Sequence, residues 1–216
     1  AVWDENTCDA RHEFKRHVLG GGSVCLLGLP GTGKSTLLRE TVAQLREQGK
    51  RVMCCAFTHV AARILQGSTL HHFCHRYVKH GRFSGVLVID EISMVTCNIW
   101  ASIAQLSLTN TQVILCGDFN QYRAPFDVWK GAQVPPHSFQ HSQLLHTLAA
   151  GTKVILRNNR RSDPTIFGFV SAIADGGRGD ARLETLVAEA RALFPMRDQT
   201  YRYNLCVSHA RRKAMA

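Results

Sequence analysis

The chain has 216 residues, of which 45% are hydrophobic and 19% are charged, and its net charge is +10. This balance excludes an intrinsically disordered chain, and the length is sufficient for one complete α/β domain and part of a second. No apolar run approaches the roughly 20 residues that cross a bilayer. The charged first twenty residues also lack the apolar stretch of a secretory signal. A soluble protein without membrane contact is therefore expected.

Short apolar runs alternate with amphipathic stretches up to residue 117, which is typical of βαβ units and a parallel sheet. Val24–Leu29 is predicted to be a buried strand, and Ser35–Gln48 a helix that ends at Gly49. The elements predicted next are a strand at Arg51–Phe57, a short helix at His59–Leu65, a helix at Leu70–Lys79, a strand at Val86–Asp90, a helix at Ile99–Leu108 and a strand at Val113–Gly117.

The pattern changes after residue 117. Tyr122–Pro136 contains three prolines and no clear period, so a loop is predicted there. The elements predicted beyond it are a short helix at Ser142–Leu148, a strand at Lys153–Leu156 that either ends the first domain or crosses out of it, a helix at Ile166–Ala174, a glycine-rich turn at residues 176–179, a helix at Ala181–Leu193 and a strand at Tyr203–Val207.

The positive charge favours a polyanionic partner such as nucleic acid, although general solubility explains it equally well. Residues 1–150 carry 14 basic and 10 acidic side chains, whereas residues 151–216 carry 12 and 6. The basic excess is therefore concentrated towards the C-terminal end.

The eight cysteines contain no C-x-x-C pair, which argues against a zinc or disulfide framework. Four of them lie in apolar runs, where a reduced thiol behaves as a small hydrophobe: Cys25, Cys54, Cys55 and Cys116. A reducing intracellular compartment, cytoplasm or nucleus, is the simpler interpretation. The one candidate metal cluster is His71, His72, Cys74 and His75. His71 and His75 are spaced to share a helix face, but two further ligands are not evident.

The segment from Gly28 to Ser35 matches G-x-x-x-x-G-K-[ST] between a predicted strand and a predicted helix. Glycines let successive backbone N–H groups point at phosphate oxygens, and the helix N-terminus adds the positive end of its dipole. Lys34 supplies a charge to the β- and γ-phosphates, and the Ser35 hydroxyl is a ligand for Mg²⁺. The residues expected to bind the nucleotide are Gly28, Pro30, Gly31, Thr32, Gly33, Lys34, Ser35 and Thr36.

Two carboxylates follow the apolar run that begins at Val86. At the C-terminal end of a strand, Asp90 would hold Mg²⁺ directly or through water, and Glu91 would polarise the attacking water. The alternative is an acidic turn after a core strand, which the neighbouring P-loop makes the weaker interpretation. Gly117–Gln121 also follows an apolar strand, so Gln121 could reach a γ-phosphate, although Gly-Asp by itself is an ordinary turn.

The order of the motifs resembles that of superfamily 1 helicases, especially the RecD-like branch, with their AAA-type P-loop ATPase core. The matching segments are Gly28–Ser35, Ala56–Ala62, Gly67–His71, Ile89–Met94, Gly117–Gln121 and Leu156–Asp163, which correspond in order to Walker A and motifs Ia, Ib, II, III and IV. The resemblance implies a three-layer α/β P-loop NTPase of the RecA-like type, in which helices flank a parallel sheet. It also implies ATP and Mg²⁺ as cofactors.

The same resemblance implies contacts with single-stranded DNA or RNA. Thr58, His59, Thr69 and His71 occupy positions that look like the strand-contacting motifs, and short polar groups suit phosphate and sugar contacts. For the two histidines, helix capping or core packing is the alternative.

Gln121 looks like the residue that links γ-phosphate sensing to strand movement. Arg160 resembles the motif IV arginine that stabilises charge on the transferring phosphoryl group. Arg161 stands where the family usually has glutamine, so the sequence leaves open which arginine points inward. A solvated basic turn is the alternative for both.

Three departures from the family pattern affect the expected activity. Residues 3–14 lack the upstream glutamine that reads adenine, and little room remains for a 1B subdomain between motifs Ib and II. Motifs V and VI do not follow, although Asn204–Ala216 resembles an early strand of the second RecA-like domain. We therefore predict a RecA-like domain 1A at residues 1–157 and a partial domain 2A at residues 158–216.

The sequence thus predicts an ATP-hydrolysing motor domain of a superfamily 1-type helicase, with Lys34, Glu91, Gln121 and Arg160 as catalytic residues. We expect it to be incomplete for unwinding and to belong to a longer helicase polypeptide or a truncated relative. One alternative is a nucleic-acid interaction module that binds nucleotide without hydrolysis. A small-molecule kinase also uses a P-loop, but the order of the motifs disfavours it.

Overall fold

Parallel strands form the centre of the protein in the computed structural model, which describes residues 1–79, 83–124, 127–135, 138–175 and 180–195. Seven strands within these ranges belong to one sheet. They are β1 (Val2–Asp4), β2 (Val24–Gly28), β3 (Val52–Ala56), β4 (Ser68–Thr69), β5 (Val86–Asp90), β6 (Gln112–Gly117) and β9 (Lys153–Leu156). The remaining pair, β7 (Val128–Trp129) and β8 (Ala132–Gln133), forms a separate hairpin.

The strands of the sheet are arranged in the order β1-β9-β2-β6-β5-β3-β4, and every described pairing between them is parallel. The register aligns their carboxyl ends. Gly28 pairs with Leu156, and Ala56 pairs with both Asp90 and Thr69. In a parallel sheet of this kind the loops after the strands meet at one edge, where ligands bind.

Helices cover both faces of the sheet and give the predicted three-layer architecture. The described helices are α1 (Ala10–Leu19), α2 (Lys34–Glu47), α3 (His59–Ile64), α4 (Leu70–Phe73), α5 (Cys97–Ile103), α6 (Gln143–Leu148), α7 (Pro164–Asp175) and α8 (Asp180–Leu193). α1 and α2 pack on one face, and α4, α5 and α6 pack on the other. None of the helices within the described ranges has the length and apolarity needed to cross a membrane.

The alternation of side chains along each strand divides the core into two layers. Leu26 and Val88 face the layer under α1 and α2, whereas Cys25 and Leu87 face the opposite layer. All four side chains are fully buried. Both faces of these strands are therefore dry, which explains why they appear in the sequence as continuous apolar runs.

The N-terminal strand and helix were not predicted. Asp9 caps the N-terminus of α1, and its carboxylate accepts a hydrogen bond from the His12 backbone N–H at 3.1 Å. Its buried side chains Ala10, Phe14 and Val18 recur every four residues, which is a helical spacing. Because this stripe contains only three apolar residues, with charged residues between them, it gives only a weak helical signal in the sequence.

The prediction of an irregular loop over Tyr122–Pro136 was wrong in part, because β7 and β8 form an antiparallel hairpin within it. Lys130 and Gly131 form the two-residue turn, both with positive φ, at 50° and 84°. Such a turn matches the twist of the flanking strands. The hairpin strands are exposed, so no apolar alternation marks them in the sequence.

Two predicted helices are confirmed with a change of winding. α4 continues as a π-helical turn over Cys74–Val78, and α5 continues as a 3₁₀ helix over Ala104–Leu108. The predicted strands at Val86–Asp90 and Lys153–Leu156 are confirmed, and the latter lies inside the main sheet.

The chain divides into two compact units, residues 1–167 and residues 168–216. The division falls ten residues after the predicted boundary at 157/158. In the second unit, the rings of Phe169 and Phe194 pack edge to face with centroids 5.7 Å apart. The predicted glycine-rich turn at residues 176–179 and the predicted strand at Tyr203–Val207 lie outside the described residues.

We expect Leu26→Ala in β2 to lower the free energy of unfolding by roughly 3 to 5 kcal/mol, because it leaves a cavity beneath the sheet. The matched control is Leu108→Ala, since Leu108 is 90% exposed and its truncation should cost less than about 0.5 kcal/mol. Urea denaturation monitored by circular dichroism measures both. Equal losses for the two variants would contradict the assignment of the core.

Candidate functional site

The P-loop, Gly28–Ser35, connects β2 to α2 at the carboxyl edge of the sheet. Gly31 and Gly33 have φ values of 90° and 84°, a left-handed conformation that glycine adopts without strain. Gly33 is the N-cap of α2. The helix therefore begins inside the loop, and its first N–H groups and dipole form an anion-binding site.

Two side chains of the P-loop brace its backbone. The Lys34 ammonium donates to the carbonyl oxygens of Gly28 at 2.6 Å and Leu29 at 3.1 Å. The buried Thr32 hydroxyl donates to the same Leu29 oxygen at 2.9 Å. These contacts fix the curl of the loop and keep the lysine charge against it.

Asp90 is the last residue of β5, and Glu91 follows it at the same edge. The Asp90 carboxylate accepts a hydrogen bond from the Glu91 backbone N–H at 2.9 Å, and Glu91 adopts a positive φ of 55°. A Cβ on Gly117 would lie 2.9 Å from the backbone nitrogen of Ile92. Glycine at the end of β6 is thus what lets the turn after Glu91 pack against that strand.

The pKa of Glu91 is raised. Burial is the largest cause, the Asp90 carboxylate adds to it, and the Lys34 ammonium opposes both. The Asp118 carboxylate contributes a smaller increase. One lysine and three acidic groups therefore act on each other electrostatically at this edge.

Gln121 is anchored to the end of β6 through Asp118. The buried Asp118 carboxylate accepts from the Asn120 backbone N–H at 2.9 Å and from the Gln121 side-chain amide at 3.4 Å. Gly117, which precedes this turn, pairs with Leu27 of β2. The turn that carries Gln121 thus follows the strand next to the one that carries the P-loop.

The loop after β9 (residues 157–163, the β9 loop) packs against the P-loop from the other side. The Arg160 backbone N–H donates to the Gly31 carbonyl at 2.9 Å. A Cβ on Gly33 would lie 3.2 Å from Cδ of Arg160. Of the two adjacent arginines that the sequence could not separate, Arg160 thus touches the P-loop with both its backbone and its side chain.

Two residues near the P-loop were missed in the sequence. An Arg11 guanidinium nitrogen lies 3.5 Å from the Thr32 carbonyl oxygen. Glu5 accepts hydrogen bonds from backbone N–H groups of the β9 loop. No local motif marks either residue, because Glu5 and its partners are more than 150 positions apart.

The residues predicted to contact a nucleic acid lie at or just after the ends of β3 and β4, at the same edge of the sheet. Thr58 caps α3 and Thr69 caps α4, each accepting from a backbone N–H at 3.2 and 3.3 Å. His59 and His71 are exposed, which rules out core packing for both. The His71 ring lies 5.4 Å from the ring of Phe57.

The candidate metal cluster does not assemble. His71, His72 and His75 are exposed, whereas Cys74 is buried, and burial raises its pKa to about 11. Within the ranges that the structure describes, no group of three or more His, Cys, Asp or Glu residues is placed to hold a metal ion.

A family profile described as an AAA domain matches residues 11–188. The chain belongs to this AAA domain family. The human ATP-dependent DNA helicase PIF1 is 30% identical over 202 residues, a match that covers 81% of this chain and 31% of the human protein. The chain therefore spans about a third of the length of the curated relatives it matches.

Solved structures of Pif1 helicases are also similar to this chain. The crystal structure of Pif1 helicase from Candida albicans is 25% identical with a TM-score of 0.64, covering 82% of this chain and 46% of that chain. The crystal structure of Bacteroides sp Pif1 in complex with ADP-AlF4 is 20% identical with a TM-score of 0.62, and the match covers 96% of this chain and 55% of that chain. At this identity the likeness supports a shared fold only. The predicted RecA-like fold and the resemblance to superfamily 1 helicases are confirmed.

We expect Glu91→Gln to raise the free energy of unfolding at pH 8 but not at pH 4. Because folding raises the pKa of Glu91, its ionised form destabilises the folded state above that pKa. The cost disappears below the ordinary value of 4.5, where the folded and unfolded states are both protonated. Urea denaturation across this pH range measures the difference. Glu47→Gln, at an exposed position in α2, is the control, and a pH-independent effect of Glu91→Gln would contradict the electrostatic cause.

Proposed function

We propose that this chain is an ATP-binding and ATP-hydrolysing motor domain of the superfamily 1 helicase type that acts on single-stranded nucleic acid. The observation that carries the proposal is the register of the sheet, which brings the P-loop, the Asp90–Glu91 pair and the Gln121 turn to one edge. The relatives named ATP-dependent DNA helicases support ATP as the nucleotide and DNA as the strand.

Nucleotide binding is assigned to Gly28–Thr36. The backbone N–H groups around Gly31 and Gly33 receive phosphate oxygens, and Lys34 exchanges its two carbonyl partners for the β- and γ-phosphates. Ser35 and Asp90 offer a hydroxyl and a carboxylate, the hard oxygen ligands that Mg²⁺ prefers. Bound there, Mg²⁺ would neutralise phosphate charge.

Hydrolysis is assigned to Glu91 with Gln121 and Arg160. A carboxylate whose pKa is raised by burial is a better general base near neutral pH, so Glu91 is suited to orient and polarise the attacking water. Gln121, hydrogen-bonded to Asp118, contacts the γ-phosphate. Arg160, beside Gly33, stabilises negative charge on the transferring group.

Single-strand contact is assigned to Thr58, His59, Thr69 and His71. Ala56 pairs with both Asp90 and Thr69, so these residues and the hydrolytic carboxylates follow neighbouring strands. A shift of the Asp90–Glu91 turn during the nucleotide cycle would therefore reach the strand-contacting loops directly.

We assign residues 158–216 to the start of a second RecA-like domain, and those from Gly168 onward form the second compact unit. Unwinding requires two such domains to close on the nucleotide, so we assign to this chain the nucleotide cycle and strand contact, within a longer helicase polypeptide. The described cysteines are all free thiols, which supports a reducing compartment, cytoplasm or nucleus.

We expect Lys34→Ala to lose nucleotide binding and turnover, because it removes the charge at the β- and γ-phosphates. Glu91→Gln should keep binding and lower kcat by about 100-fold or more, the contribution of a positioned general base. Phosphate release with Mg²⁺ and ATP, together with titration of a fluorescent ATP analogue, measures both. If the unmodified chain binds the analogue but releases no phosphate with or without single-stranded DNA, it is a binding module and not a motor.

We expect His59→Ala and His71→Ala each to weaken binding of a single-stranded oligonucleotide by roughly fivefold, about 1 kcal/mol, because each removes an exposed ring that can stack on a base. Fluorescence anisotropy at a fixed salt concentration measures the change. His12→Ala, at an exposed position on α1, is the control. Affinities that are unchanged in both variants, or lowered equally in His12→Ala, would exclude this surface.

A further inference from the structure

We propose that Glu5 is a positioning residue for Arg160: it holds the β9 loop against the P-loop so that the guanidinium lies beside the phosphate site. This inference rests on the proposed function, since it concerns how one of the hydrolytic residues is placed. Glu5 follows β1 at the carboxyl edge of the sheet, and β1 pairs in parallel with β9, so both strands end side by side.

Glu5 makes three contacts with the β9 loop. One carboxylate oxygen accepts hydrogen bonds from the backbone N–H groups of Arg157 at 2.7 Å and Asn158 at 2.8 Å. The other oxygen pairs with the Arg160 guanidinium at 3.3 Å. A single carboxylate thus fixes both the start of the loop and the side chain at its centre.

The environment of Glu5 is consistent with a structural anion. Its side chain is 6% exposed, whereas that of Arg160 is 48% exposed. Burial acts to raise the pKa of Glu5, but the two backbone N–H groups and the guanidinium outweigh it, so the pKa is lowered. The carboxylate therefore keeps its negative charge while it accepts all three hydrogen bonds. Hydrogen bonds to a charged acceptor are stronger than those to a neutral one.

The β9 loop is held on its other side by the P-loop. The Arg160 backbone N–H bonds to the Gly31 carbonyl at 2.9 Å, and a Cβ on Gly31 would meet the Ser162 hydroxyl at 2.8 Å. The loop is therefore fixed between β1 and the P-loop. Loss of the Glu5 contacts would therefore release one of the two sides that hold Arg160 beside Gly33.

The three hydrogen bonds of Glu5 differ in length, and we assign them two different roles. The short bonds to the backbone hold the loop in place, and the longer bond to the guanidinium is the one that can be exchanged. Arg160 can then turn from Glu5 to a phosphate oxygen without any movement of its own backbone. Glu5 thereby places the arginine without competing strongly for it.

The test combines ATP turnover with amide hydrogen exchange of the nucleotide-free chain. We expect Glu5→Ala to raise the exchange rate of the residue 157 and 158 amides at least tenfold, and to lower kcat about tenfold with little change in KM, since an interaction made in the transition state is lost. Glu5→Gln, which keeps an acceptor oxygen without the charge, should be intermediate. In an Arg160→Ala background, Glu5→Ala should lower kcat no further.

Asp4→Ala is the matched control, because Asp4, the last residue of β1, pairs with the Arg157 side chain at 2.7 Å, whereas Glu5 pairs with Arg160. It should leave kcat unchanged. The proposal is overturned if Glu5→Ala leaves exchange unchanged, or if it lowers kcat equally with and without Arg160. If the unmodified chain turns over no ATP, the proposed function fails, and the exchange rates still decide whether Glu5 holds the loop.

Discussion

Parallel register is the constraint on which the rest of this structure depends. Because the strands are parallel and their carboxyl ends are aligned, the turns that follow them meet at one edge of the sheet. In the sequence these turns are spread over more than 150 residues. The hydrogen bonds that set this register are shielded by apolar layers on both faces. Burial of the strands and convergence of the functional loops are thus two results of the same pairing.

Convergence places like charges together, and the structure compensates for this locally. Asp90, Glu91 and Asp118 lie at the ends of the adjacent strands β5 and β6. The pKa of Glu91 is raised mainly by burial, and the Asp90 and Asp118 carboxylates raise it further. Lys34 opposes the repulsion, and backbone N–H groups satisfy Asp90 and Asp118. Glu91 also has a positive φ, a conformation that stores strain at functional sites.

The two ends of the sheet edge serve different purposes. On the β1–β9 side, the Glu5 carboxylate, which follows β1, contacts the basic β9 loop that packs against the P-loop. On the β3–β4 side, Thr58 and Thr69 cap α3 and α4, and these helices carry the exposed His59 and His71. The P-loop, which follows β2, lies between these two ends of the edge.

The sequence by itself determined the features that are contiguous: the P-loop, the Asp90–Glu91 pair and the buried strands, each of which has its cause in neighbouring residues. The tertiary structure decided the pairing of Glu5 with Arg160, because no local pattern records partners 155 positions apart. It also decided the β7–β8 hairpin and α1, whose apolar signals are absent or narrow. The P-loop could be recognised as a nucleotide site from its spacing, but what packs around it depends on which strands lie side by side.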